Sequence, residues 1–343
     1  MVRLTRAQQQ ERTRDAVLAA ARDEFAEHGY LEARIDRIAD RADLTRGAVY
    51  SNFPGKRALY LAVLVDLVDH AEGGPVPSPG TPGAFARAWL DRLPLAGDAP
   101  ADGHLRLRSL GGVLDDEPLR AALAQVVQVE ALLLGLALET GSRRVRLAEL
   151  VLTLLGGVAR LAEAAPGAGD PFDVARACDH LASLDLEDSW DPPYLPLIPP
   201  PTPGDDPWRP PAWWPDLVGG GSADLTLDGV VAFLGTRRLG AIEEAVRAAG
   251  PEDAVTAVVL TSNPAEAGRL VRLRIGDVAG CLHRAFEAPP ALRIVLDDDT
   301  LAAYAGVANA DDTEAAIRVR NGKVVAHASG RGACHAVAKG LDR

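Results

Sequence analysis

Between residues 10 and 29, apolar side chains recur three or four positions apart, at Val17, Leu18, Ala21, Phe25 and Ala26, until Gly29 interrupts them. That spacing gathers them into one stripe and predicts an amphipathic helix that stops at the glycine. Residues 35–43 repeat the pattern more briefly, with Ile35, Ile38, Ala39 and Ala42 turned inward. Leu44 turns the corner. Thr45 is placed to cap a third helix running to Phe53, because its hydroxyl can accept a free amide of the first turn. Pro54-Gly55 closes that helix, and residues 56–71 (KRALYLAVLVDLVDHA) predict a longer, strongly apolar fourth one.

After a Pro/Gly patch at 73–83, helical patterns return at about 84–93, 103–114, 117–140, 143–164 and 172–184. Several are apolar nearly all round, notably VVQVEALLLGLALE and LAELVLTLLGGVARLAE, which implies burial against several neighbours or against a partner chain. From 186 to 221 the pattern breaks: eleven prolines are interleaved with Trp190, Trp208, Trp213 and Trp214. Proline at that density excludes a helix or a central strand and predicts an extended connector, laid along a surface by its tryptophans. Residues 223–343 then alternate short apolar runs with helical ones. TLDGVVAFLG, AVTAVVLTS and ALRIVLDDD read as strands, and LGAIEEAVRAAG, TLAAYAGV and CHAVAKGLD as helices. EAGRLVRLRIG and VAGCLHRAF are ambiguous or helical, and EAAIRVRNGKVVAHASG is a hairpin turning at Asn321-Gly322. This alternation predicts a small α/β domain.

Composition adds location. Of 343 residues 48% are hydrophobic and 24% charged, a globular balance, with a net charge of −12. The acidity is uneven: residues 1–60 hold eleven Arg or Lys against nine Asp or Glu, leaving about −14 for the rest. Because screening erases charge beyond ~10 Å, the local field at the N-terminal region governs contact with a polyanion, not the total. No apolar run is expected to reach the ~18 residues of a membrane span. The charged N-terminus lacks a signal-peptide core, so a cytoplasmic protein with no membrane contact is expected. Cys178, Cys281 and Cys334 are odd in number and far apart, which suits neither a disulfide framework nor a zinc site. They are expected to be buried small hydrophobes or inert thiols, and no metal or other cofactor is expected.

Residues 35–53 place small Ala39 where two helices cross, with a turn of about three residues between them, so the second helix faces outward as a groove-reading helix does. Its exposed side would carry Thr45, Arg46, Gly47, Tyr50, Ser51 and Asn52. Arg46 can pair bidentately with guanine, Ser51 and Asn52 offer short donors and acceptors, and Gly47 leaves room for close approach. Tyr50 and Lys56 suit phosphates. Residues 10–64, above all IDRIADRADLTRGAVYSNFPGKRALYLAVL, resemble the N-terminal domain of TetR-family transcriptional regulators. The resemblance implies an all-α chain through 185: a helix-turn-helix DNA-binding domain at 1–55 and a helical effector-binding and dimerisation domain at 56–185. It further implies a homodimer bound to a palindromic double-stranded DNA operator, released or retained by a small-molecule effector, and so a ligand-responsive repressor rather than an enzyme. It departs from the family at Ala33-Arg34, where threonines are usual; the cap of the second helix is weakened and Arg34 takes over the phosphate contact. In the family the last two helices pair with their mates, here 143–164 and 172–184. Trp89, His104, Arg108 and Gln128 are the candidates to line an effector pocket, with His70, Arg106, Gln125 and Glu130 as further polar groups in the same region.

Residues 186–222 are expected to be the Pro/Trp-rich linker, and the element order of 223–343 is similar to a thioredoxin-like domain. The chemistry departs. FLGTRRLGAIEE carries no Cys-x-x-Cys after the first strand, and Thr313-Glu314 stands where the family has a cis-proline. A helix N-terminus activates a thiol only if one is there. Arg237 and Arg238 occupy that helix start, and two solvated arginines are expected there rather than an anion site. Operator binding is accordingly expected to survive deletion of 223–343. The alternative from another class is a thiol-dependent redox sensor or oxidoreductase carrying a DNA-binding head.

Overall fold

The computed structural model describes residues 5–70, 80–92, 110–165, 168–184, 186–211 and 213–340. His104, Arg106 and Arg108, with most of the helix expected at 103–114, lie outside the described residues.

Helix α1 (Arg6–Glu32) begins earlier than its apolar stripe. The Thr5 hydroxyl accepts from the Gln8 amide at 3.3 Å while the Gln8 side chain accepts from the Thr5 amide at 2.9 Å, a reciprocal cap that satisfies two free donors. The helix leaves regular geometry at Gly29, whose φ of +68° a side chain would disfavour. Then come α2 (Ile35–Arg41), α3 (Arg46–Asn52) and α4 (Lys56–Asp69). Thr45 caps α3 by accepting from the Ala48 amide at 3.2 Å. Val17, Ala21, Phe25, Ile38, Ala39, Val49, Phe53 and Leu59 form one core.

A second helical layer holds α5 (Pro82–Leu90), α6 (Glu117–Ala137), α7 (Val145–Ala164) and α8 (Pro171–Leu181). Against expectation, α6 is long and apolar enough to cross a membrane, with a mean hydropathy of 1.5 over its 18-residue window, 56% of which is buried within the fold. Its apolarity has a packing cause, since it is covered on several sides. The chain continues with β1 (Thr202–Pro207), β2 (Gly229–Gly235), α9 (Ile242–Ala248), β3 (Ala254–Leu260) and α10 (Arg269–Ala285). It ends with β4 (Leu292–Leu296), α11 (Thr300–Tyr304), β5 (Glu314–Arg320), β6 (Lys323–Ser329) and α12 (Ala333–Lys339). The sheet order is β1-β6-β5-β2-β3-β4. Strands β2, β3 and β4 run parallel, while β5 is antiparallel to β2, β6 to β5 and β1 to β6. The β5–β6 hairpin turns at Asn321-Gly322 with φ of +50° and +71°, as a two-residue turn of this hand requires.

The packing corrects two expectations. The Pro/Trp-rich segment is not a bare connector: residues 202–207 form an edge strand on β6, and an edge tolerates Pro203 and Pro207 because only some amides face the sheet. Trp208 and Trp214 are buried there, and the Trp208 indole donates to the Leu225 carbonyl at 2.8 Å. Nor is the α/β part set apart from the helices. Residues 269–285 form one continuous helix that packs on α4, α5 and α6. Its Val271, Ile275, Val278, Cys281 and Leu282 share a core with Phe85, Leu132 and Leu155. Gly280 makes room for the Arg92 side chain at this seam: a methyl there would stand 2.4 Å from its guanidinium. Ion pairs line the seam, with Arg92–Asp277 at 2.6 Å, Arg284–Asp91 at 2.7 Å and Arg272–Asp69 at 2.8 Å.

Candidate nucleic-acid interface and helical cavity

α3 is held from behind and open in front. Val49 and Phe53 anchor it in the core, while Thr45, Arg46, Gly47, Tyr50 and Ser51 are exposed together. A Cβ at Gly47 would meet only the Thr45 hydroxyl at 3.8 Å, so packing inside the chain does not demand glycine there. The Arg46 guanidinium, 65% exposed, is paired with Asp36 of α2. Asn52 is turned back, its amide donating to the Ala48 carbonyl at 2.8 Å, and the Ser51 hydroxyl donates to the same oxygen at 2.8 Å.

The weakened start of α2 is repaired from another element. Arg34 occupies the N-cap with its side chain uninvolved and exposed. Its amide donates at 3.0 Å to Glu24, a fully buried carboxylate of α1 that also accepts from Arg37 at 2.6 Å and faces Arg41 at 3.4 Å. Lys56 departs from its expected role. Its ammonium donates to the carbonyls of Leu31 and Ala33 at 3.0 and 3.2 Å and lies 4.8 Å over the Tyr30 ring. Burial holds its pKa below the usual lysine value, against the opposing pull of Glu32. It fastens α4 to the end of α1 instead of standing free for phosphate.

Between α5, α6, α7 and α10 lies a cavity of about 560 Å³ lined by Trp89, Gln128, Glu130, Leu152, Arg160 and Arg274, among others. Two of the expected pocket residues, Trp89 and Gln128, therefore meet there, with Glu130. Gln125 does not: it accepts from the Gly240 amide at 3.0 Å. His70 lies exposed at the end of α4 with its ring on the Asp66 carbonyl. Arg274 went unread in the sequence because it comes from α10, and only the ladder of arginines in RLVRLRIG hinted that this helix had acidic neighbours to meet. It forms a bidentate pair with Glu130, both bonds at 2.7 Å. Burial alone would lower its pKa, but the Glu130 carboxylate and Asp277 outweigh burial and hold it above the usual value.

In the α/β part, Arg238 is not a solvated arginine. It donates to buried Glu314 at 3.0 Å, and the Gly332 amide donates to the other Glu314 oxygen at 2.7 Å. Arg237 is exposed. Glu244 is buried beside them, accepts from the Tyr194 hydroxyl at 2.7 Å and has its pKa raised, mainly by burial. All three thiols are buried. Burial pushes Cys178 up to about 11 and Cys334 well above the usual thiol range, so neither supplies a thiolate near neutrality.

Residues 17–63 match the family model for bacterial regulatory proteins, tetR family. The HTH-type transcriptional activator FasR of Mycolicibacterium smegmatis is 43% identical over 61 residues, 18% of this chain and 28% of that protein. The HTH-type transcriptional repressor SCO4008 of Streptomyces coelicolor is 37% identical over 84 residues, 24% of this chain and 41% of that one. The match thus spans well under half the length of these curated relatives. Among solved structures, a TetR transcriptional regulator from Rhodococcus sp. RHA1 aligns with 19% identity over 52% of this chain and 99% of its own, with a TM-score of 0.32. The head of the chain is a helix-turn-helix domain of the tetR type.

Proposed function

We propose that this chain is a sequence-specific DNA-binding transcriptional regulator, active as a homodimer on a palindromic operator and responsive to a small molecule held between α5, α6, α7 and α10. The observation that carries the reading is the exposed side of α3, five polar or small residues wide, on a head that matches the tetR family. Arg46 exchanges Asp36 for a guanine edge, and Tyr50 and Arg34 meet phosphates. Dimerisation is supported by α7 and α8, which expose Leu150, Leu161 and Phe172, the last 75% open. Gly157 of α7 leaves open space for close approach by another helix. A ligand in the cavity acts by favouring one spacing of the two heads over the other.

The order strand, helix, strand, helix, strand, short helix, hairpin, helix supports reading 223–343 as a thioredoxin-like unit without its redox chemistry. With Cys178, Cys281 and Cys334 buried, the alternative of a thiol-dependent sensor gains no support. The reading is tested by selecting binders from a pool of random DNA duplexes with the full chain. Enrichment of an inverted repeat is expected, and a pool that stays unenriched contradicts it.

A further inference from the structure

α10 belongs to the appended α/β part, yet it touches each working part of the helical half. Just before it, Glu266 accepts from Arg57 at the start of α4 at 2.9 Å. Its first residue, Arg269, donates to the Ala58 carbonyl at 2.8 Å and lies 5.4 Å over the ring of Phe53. Phe53 is the C-cap of α3, 1% exposed, and Arg14 of α1 stacks on the same ring at 5.1 Å. Arg272 pairs with Asp69 at the far end of α4. Five residues after Arg269, about 7.5 Å along the axis, Arg274 closes the back of the cavity on Glu130. One unbroken helix therefore joins the cavity wall to the end of the DNA-facing helix.

We propose that Arg269 and Arg274 are positioning residues: Arg269 sets the stance of α3 by bracing Phe53 and α4, and the Glu130–Arg274 pair sets the stance of α10. The inference rests on the reading of α3 as the DNA-contacting helix and adds the device that links it to the cavity. The physical reason is the cost of an unpaired buried charge. If Glu130 is neutralised, or a ligand takes its place, the Arg274 guanidinium must find another partner or move. The rest of α10 is packed along α4, α5 and α6, with Val271, Ile275, Val278 and Leu282 in the shared core, which leaves it little room to absorb that locally. The shift is then delivered at Arg269.

The test uses the full chain and a duplex that the wild type has itself selected from a random pool. Affinity is measured across a salt series for wild type, Arg269→Ala, Glu130→Gln and the double variant, with Arg269→Met, which keeps the aliphatic stem, replacing Arg269→Ala if that variant does not fold. Arg269→Ala is expected to weaken binding about tenfold with an unchanged salt slope, because the side chain touches no phosphate. Glu130→Gln is expected to change affinity several-fold in the wild-type background and hardly at all once Arg269 is gone. A purely structural role would lower stability without that dependence between the sites. Multiplicative effects in the double variant overturn the proposal, as does a salt slope reduced by about one in Arg269→Ala, which would make Arg269 a phosphate ligand. If the wild type selects no duplex, the functional reading fails with it; if it selects one and the effects multiply, only this inference fails.

Discussion

Arg46 is exposed, unbranched and charged, but in the unbound chain it is paired with Asp36, so any base it reads must replace that carboxylate. Arg46→Ala is expected to weaken binding to the selected duplex by ~1–3 kcal/mol and to relax preference at one position. Uniform loss over scrambled sequences would show that it meets phosphate instead. Lys56 takes the opposite course. Its bonds to Leu31 and Ala33 and its place over Tyr30 predict that Lys56→Ala lowers stability by ~1–2 kcal/mol and leaves the salt dependence of DNA binding unchanged. Urea unfolding and a salt titration separate the two. Thr45 was legible in the sequence because a cap is a local bond, three residues long. Lys56 was not, because its partners lie more than twenty residues upstream and only the fold brings them near.

Among the elements, the all-round apolar patterns of α6 and α7 announced burial, but period alone does not say against what. α10 was ambiguous because arginines at 269, 272, 274 and 284 interrupt its stripe, and each finds its partner on the helical half. β1 was hidden by its prolines, which mark an edge as readily as a linker. Two predictions belong to this scale. Phe172→Asp or Leu161→Asp is expected to give monomers by sedimentation if α7 and α8 form the two-fold interface. Glu244, enclosed by Tyr194, Arg238, Glu314, Arg331 and Cys334, has a folded pKa above its usual 4.5 because burial outweighs the arginines. The folded state therefore binds the extra proton, and its stability falls as pH rises through that window. Glu244→Gln should be more stable than wild type at pH 7, and the difference should shrink towards pH 4. Equal stabilities at both pH values would show that Glu244 is not charged at a cost.

For the whole molecule, the sequence separated a helical half from an α/β half, while the packing joins them through α10 and a shared core. Removing 223–343 would strip Val271, Ile275, Val278 and Leu282 from beside Phe85 and Leu132, expose that apolar face to water and take Arg274 from Glu130. The expectation that operator binding survives that deletion therefore gives way to another: a 1–190 fragment loses cooperative unfolding. Sequence patterns report what each segment must bury, and they do not report that a helix from one half buries itself in the other. The central claim, that two copies of α3 read one symmetric site, is tested most directly by footprinting the full chain on its selected duplex and counting chains per complex. The account predicts two protected blocks related by a dyad and an even number of chains. A single unrepeated block bound by one chain would contradict it.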